Sequence, residues 1–163
     1  MRIYCVIISL KWLKSAQLQR EPSLTSADLA QIHYQAFTTE RSWSAIEFET
    51  LMEQSGVFVI SQSHCFALGR LVVDELEVLT VACAPSHQKQ GYGRAVVAKL
   101  LDKAACNGGL WGFLEVGSNN NPAISLYNSL GFAQVGLRKR YYDRKGGPSV
   151  DALILRKSLI LLY

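Results

Sequence analysis

The feature that most constrains this chain is a junction. An apolar run from Leu76 to Cys83 passes through Ala84-Pro85-Ser86-His87 into Gln88-Lys89-Gln90-Gly91-Tyr92-Gly93. The run is rich in Val and Leu, which predicts a strand. From Gly91 onward the pattern is helical, with Ala95, Val96, Val97, Leu100 and Leu101 as its apolar residues. Such a junction leaves the first-turn amides of the helix without partners at the strand's end. The helix dipole adds positive potential there, and two glycines keep side chains away from an approaching anion. A pyrophosphate fits this kind of site, and Lys89 and Arg94 add charge beside it. The hexamer lacks the Lys-Ser/Thr ending of a Walker A loop and the third glycine of a dinucleotide fingerprint. Alone, it reads equally well as a plain helix start made of small residues.

A second stretch moves the reading. From Phe113 the chain runs Phe-Leu-Glu-Val-Gly-Ser-Asn-Asn-Asn-Pro-Ala-Ile-Ser-Leu-Tyr-Asn-Ser-Leu-Gly-Phe, ending at Phe132. Together the two segments resemble the two halves of the GNAT acetyltransferase core. The pyrophosphate loop of that family has the form Gln/Arg-x-x-Gly-x-Gly/Ala, matched here by Gln88, Gly91 and Gly93. The resemblance covers roughly Gln17 to Leu159 and is strongest for the RimI branch, which acetylates the N-terminal alanine of ribosomal protein S18. It includes the Leu-Glu-Val strand, the Leu-Tyr-x-Ser-Leu-Gly-Phe helix end and the closing run Arg138 to Arg144, with Asp-Ala-Leu-Ile-Leu after it. It implies a mixed α/β GNAT fold, with a central, mostly antiparallel mixed sheet flanked by helices. Acetyl-coenzyme A is the implied cosubstrate, and the chemistry needs no metal.

Composition agrees with one compact domain. A chain of 163 residues can bury a substantial core, and 49% apolar with 18% charged residues is ordinary for a globular protein. The net charge of +4 suits an anionic cosubstrate but does not by itself indicate nucleic acid. Cys5, Cys65, Cys83 and Cys106 are scattered without a CxxC or Cys/His ligand spacing, so free thiols in a reducing cytosol are expected. Residues 1–15 form an extension whose apolar stretch is too short to span a bilayer and lacks a clear cleavage site. Residues 16–160 make the single domain.

Within it a short strand is expected at Gln17–Arg20, then a helix from Ala27 to Phe37 capped by Thr25 or Ser26, with Leu29, Ile32 and Ala36 on one face. A second helix, Ala45–Gln54, carries Ile46, Phe48, Leu51 and Met52. Strands follow at Val57–Gln62, His64–Val73 and Leu76–Cys83, and the glycine-loop helix runs to about Cys106. Strand Leu110–Val116 leads to helix Pro122–Leu130, with proline in its first turn. Strands Ala133–Asp143 and Val150–Lys157 bracket a Lys145-Gly146-Gly147-Pro148 turn.

Acetyl transfer to an amine needs a base, because an α-amino group with a pKa of about 7.7–8.0 is mostly protonated at neutral pH. Glu115, an unusual carboxylate between Leu114 and Val116, is the candidate, and the resemblance gives this position the role of general base. A solvent-facing strand glutamate is the alternative. The resemblance makes Tyr127 the general acid for the departing thiolate, against the alternative of a core aromatic between Leu126 and Leu130. It also assigns Asn120 to coenzyme A, although a turn residue in an Asn-rich loop would look the same.

By the same resemblance the main chain of Val81, Ala82 and Cys83 contacts pantetheine and acetyl, and Lys89, Gln90, Gly91, Tyr92, Gly93 and Arg94 hold the pyrophosphate. Cys83 suggests an acetyl-cysteine, but no base is placed to activate it, so direct transfer in a ternary complex is expected. Tyr141 and Tyr142 fall where the acceptor groove is implied, with Trp43 and Glu77 near its mouth; hairpin packing is the alternative for the tyrosines. Gly117 departs from the arginine usual after Leu-Glu-Val. The basic run Arg138-Lys139-Arg140 reads as a solvated hairpin edge that could attract an acidic partner or ribosomal RNA. His33, His64 and His87 lack metal-ligand spacing.

These residues predict a cytoplasmic enzyme acting on the S18 N-terminus. A GNAT enzyme for a small amine or a lysine side chain is the second reading, though no acidic acceptor cluster marks it. A non-catalytic binding module is the third, and the presence of both Glu115 and Tyr127 speaks against it.

Overall fold

The structure, a computed structural model, describes residues 24–38, 41–144 and 147–160. The expected strand at Gln17–Arg20 and the extension 1–15 lie outside the described residues. Helix α1 (Ser26–Ala36) starts at Thr25, whose Oγ1 accepts the Asp28 N–H at 3.2 Å while Asp28 Oδ2 accepts the Thr25 N–H at 2.8 Å. Helix α2 (Ala45–Met52) repeats this reciprocal box with Ser44 and Glu47. Arg41 adds a two-pronged pair to Glu47 at 2.8 and 3.1 Å, and together with the Ser44 donors it holds that carboxyl down to about 2. Phe48 packs inward from α2 as expected, but Ile46, two residues earlier and so on the opposite side of the helix, is 74% exposed.

Six strands form one sheet in the order β1-β2-β3-β4-β6-β5. Strands β1 (Val57–Gln62), β2 (Cys65–Val72) and β3 (Glu75–Cys83) are an antiparallel meander. Strand β4 (Trp111–Gly117) follows helix α3 (Tyr92–Cys106) and lies parallel to β3. After helix α4 (Asn121–Ser129), the hairpin of β5 (Ala133–Arg144) and β6 (Gly147–Ser158) places β6 against β4. This is the mostly antiparallel mixed sheet that was expected. The last hairpin is longer than the sequence suggested, because its strands extend into the predicted turn.

The sheet divides the interior into two cores. Along β2, Phe66 and Leu68 join Leu29, Ile32 and Phe48 under α1 and α2, while Cys65 and Ala67 join Val96, Val97, Leu100 and Tyr127 on the α3/α4 face. Strand β3 breaks its own alternation. Leu68 pairs with Thr80 and Gly69 with Val78, so Leu79 is the extra residue of a β-bulge. Before the bulge Leu76 and Val78 face α3; after it Val81 and Cys83 do. A bulge bends its strand, and the pairing of β3 with β4 stops just before it, after only Glu75↔Trp111, Leu76↔Gly112 and Glu77↔Phe113. Past that point a seam opens in the middle of the sheet.

The expectation of free thiols is corrected in one place. Cys65 and Cys83 stand opposite each other at the end of the β2–β3 ladder and are bonded as a disulfide. The neighbouring hydrogen bond, Ala84 N–H to His64 O at 3.0 Å, makes theirs a non-hydrogen-bonded pair, the kind whose side chains approach closely. A spacing of 18 residues hides this partnership, which depends on hairpin register. Cys106 is free and exposed, and Cys5 lies outside the described residues.

Candidate active site

Helices α1, α2 and α4 each begin on a side-chain cap, supplied by Thr25, Ser44 and Asn120. Helix α3 has none. Its N-cap is Gly91, at φ +85°, and the amides of Tyr92, Gly93 and Arg94 precede the first helical hydrogen bond, Ala95 N–H to Gly91 O. Lys89 is also left-handed, at φ +58°. Left-handed residues alternating with others turn successive N–H groups toward one concavity, the geometry of an anion nest. A Cβ on Gly91 would meet nothing within 4 Å, so the space outside is open. Gly93 has a different reason: its Cβ would lie 3.2 Å from Leu126 Cδ1 of α4 and 3.6 Å from Cys83 Sγ. This glycine lets α3, α4 and the end of β3 converge.

Two glutamines brace the loop. Gln88 Nε2 donates to Cys83 O at 3.1 Å, and Gln90 Nε2 donates to Ser86 O at 2.8 Å. Lys89 and Arg94 are exposed and make no ion pair among the described residues. Tyr92 is half-buried against the α3 core, 6.1 Å from the ring of His87. His64 and His87 lie beside each other, with ring centroids 4.9 Å apart. No cluster of metal-binding side chains occurs among the described residues, and no described helix is long and apolar enough to cross a membrane.

The backbone of β3 faces the seam selectively. Ala84 N–H points to β2, so the alternation of the ladder sends Ala82 the same way and turns Val81 and Cys83 toward the seam. Of the three residues expected to offer main-chain groups, Val81 and Cys83 are so placed, and Ala82 is committed to Phe66 on β2. Because β3 and β4 are parallel, the helices that follow them, α3 and α4, both start at the seam's open end. Asn120 Oδ1 caps α4 by accepting the Ala123 N–H at 3.2 Å.

Glu115 and Tyr127 stand on opposite faces of the sheet. Leu114 and Val116 of β4 pack into the α3/α4 core, so Glu115 between them points to the other face, where its side chain is 28% exposed. Its Oε1 lies 3.1 Å from Arg138 Nε. Tyr127 belongs to the α3/α4 core and meets Phe132 edge-on at 5.8 Å. Tyr141 is exposed, with the Arg138 guanidinium 5.3 Å from its ring centroid. The backbone of Tyr142 pairs with Val150.

Arg138 was read from sequence as part of a solvated edge, and its link to Glu115 was missed; only the order of strands β4-β6-β5 brings the two near. Trp43 gives its backbone N–H to His33 Nδ1 at 3.3 Å and its ring stacks on that imidazole, within a cluster that includes Phe37 and Phe48. Burial, reinforced by the charge of Arg41, pushes His33 down to about 4. Glu77 pairs with Arg70 at 2.9 Å on the last rung before the seam.

An uncapped helix start beside an interrupted parallel pair makes a site suited to an anionic cosubstrate, and the sequence comparison names the class. Residues 14–132 match the Acetyltransferase (GNAT) family, and the chain belongs to it. It is an acetyl-coenzyme A-dependent N-acetyltransferase. The chain is 34% identical over 147 residues to N-alpha-acetyltransferase RimI of Mycobacterium tuberculosis, with 83% of this chain and 89% of that protein covered. It is 33% identical over 138 residues to the ribosomal protein bS18-alanine N-acetyltransferase of Escherichia coli K12, with coverages of 82% and 93%. The crystal structure of the ribosomal-protein-S18-alanine N-acetyltransferase from Escherichia coli matches with a TM-score of 0.75 at 28% identity, over 85% of this chain and 90% of that one. An uncharacterized Mycobacterium leprae protein is 33% identical over 147 residues, and this chain spans 39% of its length.

Proposed function

We propose that this enzyme acetylates the α-amino group of the N-terminal alanine of ribosomal protein S18, by direct transfer within a ternary complex. The observation that carries the chemistry is the seam between β3 and β4, with Glu115 on one face of the sheet and Tyr127 on the other. The choice of acceptor rests on relatives that carry this activity in their names. Acetyl-coenzyme A supplies an activated thioester. The nest of Lys89, Gln90, Gly91, Tyr92, Gly93 and Arg94 binds the pyrophosphate, with a helix start that has no side-chain cap and two cations that make no ion pair among the described residues. Val81 and Cys83 orient the pantetheine arm through their main chains, and Asn120 borders it from the start of α4.

Glu115 takes the proton as the amine attacks the carbonyl. Tyr127 donates its phenolic proton to the sulfur that leaves. With its sulfur tied to Cys65, Cys83 has no thiol to acylate, which supports direct transfer. We assign the acceptor side to the segment of Tyr141 and Tyr142. A ribosomal acceptor places the enzyme in the cytoplasm, and full burial of Cys65 shields one sulfur of the disulfide from the thiol pool there.

Coenzyme A release with an S18 peptide beginning in alanine tests this reading, run beside the same peptide with a blocked α-amine and a lysine-containing control. Turnover confined to the free N-terminus is expected. Turnover on the blocked peptide or the lysine control would move the acceptor to side-chain amines. No turnover on any peptide, with acetyl-coenzyme A still bound, would point to a small amine.

A further inference from the structure

Three ion pairs join described side chains, and one differs in kind. Arg41–Glu47 is local to the α2 cap, and Arg70–Glu77 lies on a single rung of adjacent strands. Arg138–Glu115 joins β5 to β4 across the intervening β6. Its geometry depends on what lies between. Arg138 is the register partner of Ala152, and Ala152 is the partner of Gly117, so the residues along this row are small. They leave a path by which a long side chain can cross one strand and reach the carboxylate.

The guanidinium is held from a second direction, since its carbon lies 5.3 Å from the centroid of the Tyr141 ring. A planar cation over an aromatic face is a preferred arrangement for arginine. The pair is half open to water, with side chains 54% and 28% exposed, and such pairs add little to folding. Stability therefore does not explain a contact that fixes this particular carboxylate.

We propose that Arg138 is a positioning residue for acetyl transfer: ion-paired with Glu115 and resting on Tyr141, it sets the orientation of the base relative to the acceptor groove. This rests on the reading of Glu115 as general base and of Tyr141 as part of the groove. A carboxylate on a strand has several rotamers, and proton transfer requires one of them. Arg138 selects it from the far side and ties it to a groove residue.

The test is steady-state kinetics on the alanine-starting peptide with Arg138→Gln, Arg138→Lys, Glu115→Gln and the Glu115→Gln/Arg138→Gln double variant. Direct binding of acetyl-coenzyme A and melting temperature are measured for each. Arg138→Gln is expected to lower kcat about tenfold while leaving cosubstrate affinity and melting unchanged, and Arg138→Lys, which lacks the planar guanidinium that rests on Tyr141, does not rescue it. In the Glu115→Gln background the same change is expected to cost less than about twofold, because the group it orients is gone. Unchanged kcat in Arg138→Gln, full rescue by lysine, or an equal loss in both backgrounds would each overturn the proposal while Glu115→Gln remains impaired. A fully active Glu115→Gln would remove the base assignment itself, and this proposal with it.

Discussion

At the scale of single residues, each assigned role predicts a distinct loss. Glu115→Gln keeps shape but not basicity, so kcat on the peptide should fall on the order of 10²-fold or more, with acetyl-coenzyme A affinity unchanged by calorimetry. Tyr127→Phe removes only a hydroxyl from a ring packed beside Phe132, so the fold should persist and kcat should drop, with the larger effect on thioesters of more basic thiols. His33 makes a prediction about pH. Its folded state disfavours the proton, with a value near 4 against an ordinary 6.5, so the unfolded chain takes up the proton first. Stability is therefore fully present above about pH 6.5 and declines as pH falls toward 4, by about 2 kcal/mol at pH 5. Urea unfolding at several pH values checks this, and His33→Phe should flatten that part of the profile.

At the scale of elements, α3 is the informative case, since its two glycines are there for different reasons. Gly91→Ala meets no clash but must hold φ +85°, so it should cost about 1–2 kcal/mol and weaken coenzyme A binding as the nest shifts. Gly93→Ala presses on Leu126, so it should also loosen α4 and reduce kcat, which the first variant affects less. Isothermal titration and peptide kinetics on the two variants separate these outcomes. The glycine loop, the helices and the strand carrying Glu115 were legible because each depends on local spacing. The bulge at Leu79, the Cys65–Cys83 bond and the reach of Arg138 were not legible, because each depends on how one strand registers against another. The loop's position at an uncapped helix start could be read from sequence, but the separate reason for Gly93 could not, since Leu126 approaches it only in three dimensions.

At the scale of the whole molecule, the sheet consists of two three-stranded halves held by three rungs between β3 and β4. A ligand lying along Val81 and Cys83 would supply contacts that the interrupted ladder lacks. Binding to the folded state alone stabilises by about 2.7 kcal/mol at a hundred times Kd. Acetyl-coenzyme A should thus raise the melting temperature, and it should slow hydrogen exchange most at the Val81 and Cys83 amides; equal protection throughout the sheet would contradict this picture. If acetyl-coenzyme A fills the seam, the same small molecule would bear on both how fast this enzyme works and how long it lasts. When acetyl-coenzyme A runs low, the protein should then fall more readily to proteases, which limited proteolysis with and without the ligand would show.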